Sequence, residues 1–122
     1  MPLEYKDGVL IVKGNDIVKV ASALSSQVRF GILRLASASG KIDIDTLASK
    51  LGKSKANICT HIRVLEGAGL VKVSYSPGRR GVKKYCLNSI KEIRLVILEG
   101  GSFAHSKLTS KGDFVNLTAG AC

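Results

Sequence analysis

The 122-residue sequence is short of aromatic side chains. It has no Trp, three Phe and three Tyr, together 5% of the chain. A core must therefore be built from Leu, Ile, Val and Ala, and the stacking platforms that single-stranded RNA favours are scarce. Cysteine numbers only three (Cys59, Cys86 and Cys122), an odd and widely spaced set. That excludes a disulfide framework, and with no secretory signal it points to a reducing, cytoplasmic setting. The three show no paired ligand spacing, so no metal site is expected. Histidine numbers two, His61 and His105, and no carboxylate pair stands at a useful spacing. Asp43 and Asp45 flank a helix start and are better read as caps. No phosphate-binding glycine loop occurs either. An enzyme of the hydrolase or phosphate-loop kind lacks its residues, and no cofactor is expected. No apolar run is long enough to span a bilayer; Ile93 to Leu98 is short and broken by Arg94. Internal repeats and low-complexity segments are also missing.

Acidic residues are the other scarcity: nine, against 19 Lys and Arg, for a net charge of +10. Such a balance suits a polyanionic partner. The excess is focused. Residues 50–84 hold nine basic side chains and one acid, Glu66, and so carry +8 of the +10. A charge serving solubility alone would be spread out.

What is present is a 45% hydrophobic chain with clear punctuation. Residues 3–13 read as extended around an Asp7-Gly8 turn. Asn15 is placed to cap a helix from Asp16 to about Leu24, and Ser25-Ser26 a second from Gln27 to about Ala38, with Gly40 as its stop. Lys41-Ile42-Asp43 is short and extended. Asp45 is expected to cap a third helix, Thr46 to Leu51, which Gly52 ends. Ser54 caps a fourth, running to about Glu66. Two helices joined by a tight glycine turn are the helix-turn-helix signature. Leu70 to Tyr75 and Val82 to Leu87 alternate as strands around the loop Ser76-Pro77-Gly78-Arg79-Arg80-Gly81, forming a basic hairpin, or wing. Residues 92–98 tilt toward strand, and Lys111-Gly112 is placed to turn between two further short strands ending at Phe114 to Leu117. The fold class expected is α+β. Residues 1–14 form an N-terminal β segment, 15–90 the helix-turn-helix domain with its wing, and 91–122 a β-rich extension for dimerisation.

At about 100° per residue, Ile58, Ile62 and Leu65 fall on one arc of the fourth helix and must face the core. Ala56, Thr60 and Arg63 fall opposite, with Asn57 and Val64 along an edge. Small residues let the backbone approach base pairs, Asn57 suits an adenine edge, and Arg63 a guanine edge or a phosphate. Lys53, Ser54 and Lys55 sit at the positive end of the helix dipole, where phosphates are favoured. His61 lies beside the apolar arc, as a packing or phosphate-contacting group. Arg79 and Arg80 at the wing tip are placed to reach a minor groove or its phosphates, and alternation puts only one of Lys83 and Lys84 on a given face. Cys59 on the helix and Cys86 on the return strand are the candidates for a thiol switch.

Three stretches carry a resemblance. Ser26-Gln27-Val28-Arg29-Phe30-Gly31-Ile32-Leu33 resembles the helix opening of ArsR-type winged-helix regulators. Ser54 to Leu65 (SKANICTHIRVL) resembles their recognition helix, and Glu66-Gly67-Ala68-Gly69-Leu70-Val71 is similar to the segment leading into their wing. With the hairpin, the likeness covers roughly residues 16–88. It implies a homodimeric protein that binds double-stranded DNA, a repressor or activator, with Lys55, Ala56, Asn57, Thr60 and His61 facing the duplex. The family's metal-binding Cys-x-Cys is missing from the third helix, and the familiar C-terminal dimer helix is replaced by β-rich sequence. Two functions stay open on these residues: a sequence-specific regulator acting on the chromosome, and an architectural protein that coats any duplex. A protein-interaction module would not need the clustered charge.

Overall fold

The structure, a computed structural model, describes residues 4–78 and 81–98. Arg79 and Arg80, the strands expected beyond residue 99, His105 and Cys122 lie outside the described residues. The order is β1 (Glu4–Lys6), β2 (Val9–Lys13), α1 (Asp16–Ala23), α2 (Gln27–Ser39), β3 (Lys41–Asp43), α3 (Ile44–Leu51), α4 (Lys55–Gly67), β4 (Lys72–Gly78), β5 (Gly81–Leu87) and β6 (Glu92–Val96).

Two three-stranded sheets flank the helices, in the orders β1-β2-β6 and β3-β5-β4. The first begins as a hairpin whose two turn residues, Asp7 and Gly8, both have positive φ, at 53° and 83°. That backbone twist matches antiparallel strands. β6 then joins β2 in parallel, Val9 opposite Glu92 through Lys13 opposite Val96. The Gly8 carbonyl starts this pairing by accepting from the Lys91 and Glu92 amides, at 2.7 and 3.1 Å. Parallel strands need a crossover, and here the crossover holds all four helices and the wing.

The helices pack on a core of Val12, Val20, Ile32, Leu47, Ile58, Ile62, Leu65, Leu70 and Cys86, each under 2% exposed. It is aliphatic, as the composition requires. Ser26 and Ser54 cap α2 and α4 through the Arg29 and Asn57 amides, and Gly40 and Gly52 end α2 and α3 with left-handed φ of 79° and 65°.

Two expected caps are corrected. Asn15 occupies the N-cap position of α1 in a helical conformation and makes no side-chain cap bond; the turn is closed by the Ile17 amide donating to the Gly14 carbonyl at 3.1 Å. α3 starts at Ile44, and its cap is Asp43, not Asp45. Ile44 is buried, so drawing it into the core carries the helix start two residues back. The Asp43 carboxylate accepts from the Thr46 amide at 3.1 Å and the Thr46 hydroxyl at 2.6 Å.

The wing is longer than the expected loop allows. β4 continues through Ser76 and Pro77 to Gly78, which pairs with Gly81. Pro77 has no amide to donate, and β4 tolerates it because it is the edge strand. The N-terminal end shifts too: Leu70 and Val71 are buried ahead of the strand and leave β4 to begin at Lys72. Among the described residues no helix is long and apolar enough to cross a membrane.

Candidate nucleic-acid interface

Gly52, with left-handed φ, ends α3, and Ser54 caps the start of α4 two residues later. α4 buries Ile58, Ile62 and Leu65 and leaves Lys55, Ala56, Asn57, Thr60, Arg63 and Val64 exposed. The face expected from the periodicity is therefore the face that meets solvent. Its chemistry is short near the start and cationic further along. The Thr60 hydroxyl donates to the Ala56 carbonyl at 3.1 Å, which leaves its oxygen lone pairs outward as acceptors. Lys53, in the turn ahead of the helix, is exposed.

Lys55 is less independent than a lone cation. Its ammonium lies 2.9 Å from the Asp45 carboxylate on the first turn of α3, and this hydrogen bond and charge hold the Lys55 ammonium above its ordinary value. Asp45, expected as a cap, is thus an ion-pair partner. The pair is well exposed, and solvent screening makes such pairs weak.

The wing meets the helix at a depression of about 240 Å³ lined by Ile44, Asp45, Lys55, Cys59, Val82, Lys83 and Lys84. Three of the expected cationic residues, Lys55, Lys83 and Lys84, line it from two elements far apart in sequence. Lys83 also approaches Asp43 at 3.9 Å. Burial pushes the Asp43 carboxyl up, but the Thr46 hydroxyl and amide and the charge of Lys83 together outweigh it and hold the group below its ordinary value. The cap of α3 is therefore charged and tied to the wing. Lys83 stands opposite Ser76 and Lys84 opposite Tyr75, and adjacent residues on one strand leave it on opposite sides.

His61 is half-buried, between the two positions expected of it. Its Nδ1 faces the Arg29 guanidinium of α2 at 3.2 Å. Burial first, then the charges of Arg29 and Lys53, hold its imidazole below the usual histidine range. Arg29 also donates through Nε to the Ala23 carbonyl at 2.6 Å and through a terminal nitrogen to the Ser22 carbonyl at 3.2 Å. One guanidinium thus closes the C-terminus of α1, where a cation is favoured, and touches the candidate DNA-facing helix. Sequence reasoning assigned Arg29 no role. Its signal is the basic residue three positions after the Ser26 cap, where a side chain reaches back over the preceding helix.

The cysteines divide. Cys59 is half-buried on the flank of α4 and packs against the core. Cys86 is fully buried, and burial pushes its thiol up to about 11. An inaccessible, protonated thiol is unreactive, so Cys86 drops out as a thiol switch. Among the described residues no group of three His, Cys, Asp or Glu side chains is placed to hold a metal ion.

Known proteins share this fold. The model of the MarR family matches residues 26–80, from the cap of α2 into the wing. No curated protein matches the chain. Among solved structures, the homodimeric winged helix-turn-helix DNA-binding domain of a possible ArsR-family transcriptional regulator from Mycobacterium bovis is 21% identical. It matches over 62% of this chain and 65% of that one, with a TM-score of 0.53. Reduced HlyU from Vibrio cholerae is 20% identical over 62% and 75%, with a TM-score of 0.53. A transcriptional regulator homologue from Pyrococcus horikoshii OT3 is 20% identical over 87% and 98%, with a TM-score of 0.51. At these identities the likeness establishes the fold, an α+β winged helix-turn-helix.

Proposed function

We propose that this chain is a homodimeric, duplex-DNA-binding transcription regulator of the ArsR-like winged-helix kind, acting on the chromosome in the cytoplasm without catalysing a reaction. The observation that carries the reading is the exposed face of α4, with Ala56, Asn57, Thr60 and Arg63, beside the depression that Lys55, Lys83 and Lys84 line. A helix face of this kind suits the major groove, and the lysines suit the flanking phosphates. Arg79 and Arg80, between the two wing strands in sequence, add two further cations. The regulators among the solved structures of this fold, one of them titled a homodimeric DNA-binding domain, support the same reading.

Residues 91–122 are proposed as the dimerising extension beyond the domain at 15–90. Support comes from β6, an outer strand of its sheet, with Leu95 exposed within it and Ile97 and Leu98 exposed just after it.

The test is selection from random duplex pools at physiological salt, followed by sequencing. A sharply enriched, two-fold motif is the expected result, because a dimer sets two recognition helices about 34 Å apart. Tight binding with no enrichment would replace the regulator with an architectural protein that reads only the backbone.

A further inference from the structure

The contact between Arg29 and His61 has a definite proton arrangement. A guanidinium has donors and no acceptor. At 3.2 Å from it, Nδ1 of His61 must therefore be the accepting, unprotonated nitrogen. A neutral imidazole with Nδ1 bare carries its proton on Nε2. Among the described residues no buried side-chain nitrogen or oxygen lacks a hydrogen-bond partner. His61 is half-buried, and its hydrogen bond among the described residues is at Nδ1, so Nε2 is the edge that solvent reaches. The charges facing the ring favour the neutral form: Arg29 from α2 and Lys53 from the turn between α3 and α4. Arg29 is itself held by the Ser22 and Ala23 carbonyls at the end of α1, so it cannot swing away without leaving a helix end open.

We infer that Arg29 is a positioning residue for the DNA-facing helix. By donating to Nδ1 it locks His61 in the neutral Nε2–H tautomer, so that this edge of α4 offers one N–H donor to an acceptor atom of the duplex. The inference rests on the reading of α4 as the DNA-facing helix. The acceptor is either a base-edge atom (a purine N7, guanine O6 or thymine O4) or a phosphate oxygen; the chemistry is the same. Arg29 itself touches no DNA. It acts through His61, and it couples the packing of α1 and α2 to what α4 presents.

The first experiment needs no variant beyond an assignment. Nitrogen–proton correlation of the imidazole rings in the full chain, with His61 assigned by His61→Gln, reads the tautomer near neutral pH. The expected result is an unprotonated Nδ1 and a protonated Nε2. A protonated Nδ1, or an even mixture of tautomers, overturns the inference. In Arg29→Gln, or in Arg29→Lys should the first fail to fold, the tautomer ratio shifts toward a mixture, and the His61 titration in Arg29→Gln moves up. An unshifted ratio overturns the role of Arg29.

The DNA arm compares His61→Ala with His61→Gln, which keeps an N–H donor. His61→Ala is expected to weaken duplex binding about three- to tenfold, the worth of one hydrogen bond, and His61→Gln to restore part of it. A loss confined to the preferred duplex marks a base acceptor; an equal loss on a mixed-sequence duplex marks a phosphate. No loss in His61→Ala overturns the donor. Wild-type protein that binds no duplex at all would instead overturn the function, whatever the tautomer.

Discussion

Asn88 and Ser37 meet inside the protein, with the Asn88 amide nitrogen 2.6 Å from the Ser37 hydroxyl. Asn88 is the buried polar residue of the described core, 5% exposed. Its amide nitrogen also reaches the Leu33 carbonyl at 3.3 Å, and its oxygen accepts from the Ile90 amide at 2.9 Å. The Ser37 hydroxyl donates in turn to the Ile90 carbonyl. The chain leaving the wing is thus pinned to α2 where it turns toward β6. Removing one partner of a buried hydrogen bond strands the others, at about 1–3 kcal/mol. Asn88→Ala is expected to lose about 2 kcal/mol in urea unfolding. A loss indistinguishable from zero would mean that water satisfies these groups.

Gly52 provides a second stability test. Its φ is 65°, and a Cβ there would meet nothing within 4 Å, so any penalty is backbone strain and not a clash. Left-handed conformation costs an L-residue about 1–2 kcal/mol, with Asn tolerating it best. Gly52→Ala is expected to lower Tm, and Gly52→Asn to lower it less. Equal losses in a thermal melt would refute the assignment to strain.

The wing is expected to act through charge. Arg79→Ala with Arg80→Ala weakens binding to all duplexes and flattens the dependence of log K on log salt, by about 0.9 for each phosphate left without its cation. Lys83→Ala with Lys84→Ala acts the same way if the depression holds the DNA backbone. Titrations at several salt concentrations give the slope; an unchanged slope removes that pair from the contact set.

Asn57→Ala and Arg63→Ala should behave differently. A bidentate base contact is worth about 1–3 kcal/mol of discrimination. Each substitution is expected to relax preference at one position of the site while leaving binding to mixed-sequence duplex nearly intact. A uniform loss would reassign the side chain to phosphate.

The pH dependence of stability follows from His61. Its folded-state pKa lies below the unfolded value of about 6.5, through burial, Arg29 and Lys53. As pH falls through that window the unfolded chain binds the proton first, so stability is present above pH ~6.5 and is lost toward the folded pKa. Urea unfolding at neutral and mildly acidic pH checks this. His61→Gln is expected to reduce the acid-side slope, and an identical slope would remove His61 as its source.

Much of this protein is legible in its residues alone. Ser26, Ser54, Gly40 and Gly52 do at the helix ends what local chemistry asks of them. The buried face of α4 follows from the spacing of Ile58, Ile62 and Leu65. Local rules fail where a distant contact outweighs them. Asp43 and Asp45 are equivalent as caps until the core claims Ile44. Pro77 argues for a loop until its strand proves to be an edge.

By itself, then, the sequence determined the helix-turn-helix, the basic hairpin and the polar face of α4, because capping, periodicity and turn chemistry act over a few residues. Tertiary structure alone decided the rest. It put β6 beside β2 across the whole domain, set Lys83 and Lys84 around a depression that Lys55 also lines, paired that lysine with Asp45, and set Arg29 against His61. These are meetings of residues from separate elements, and no short-range pattern encodes which distant groups a packed core will bring together.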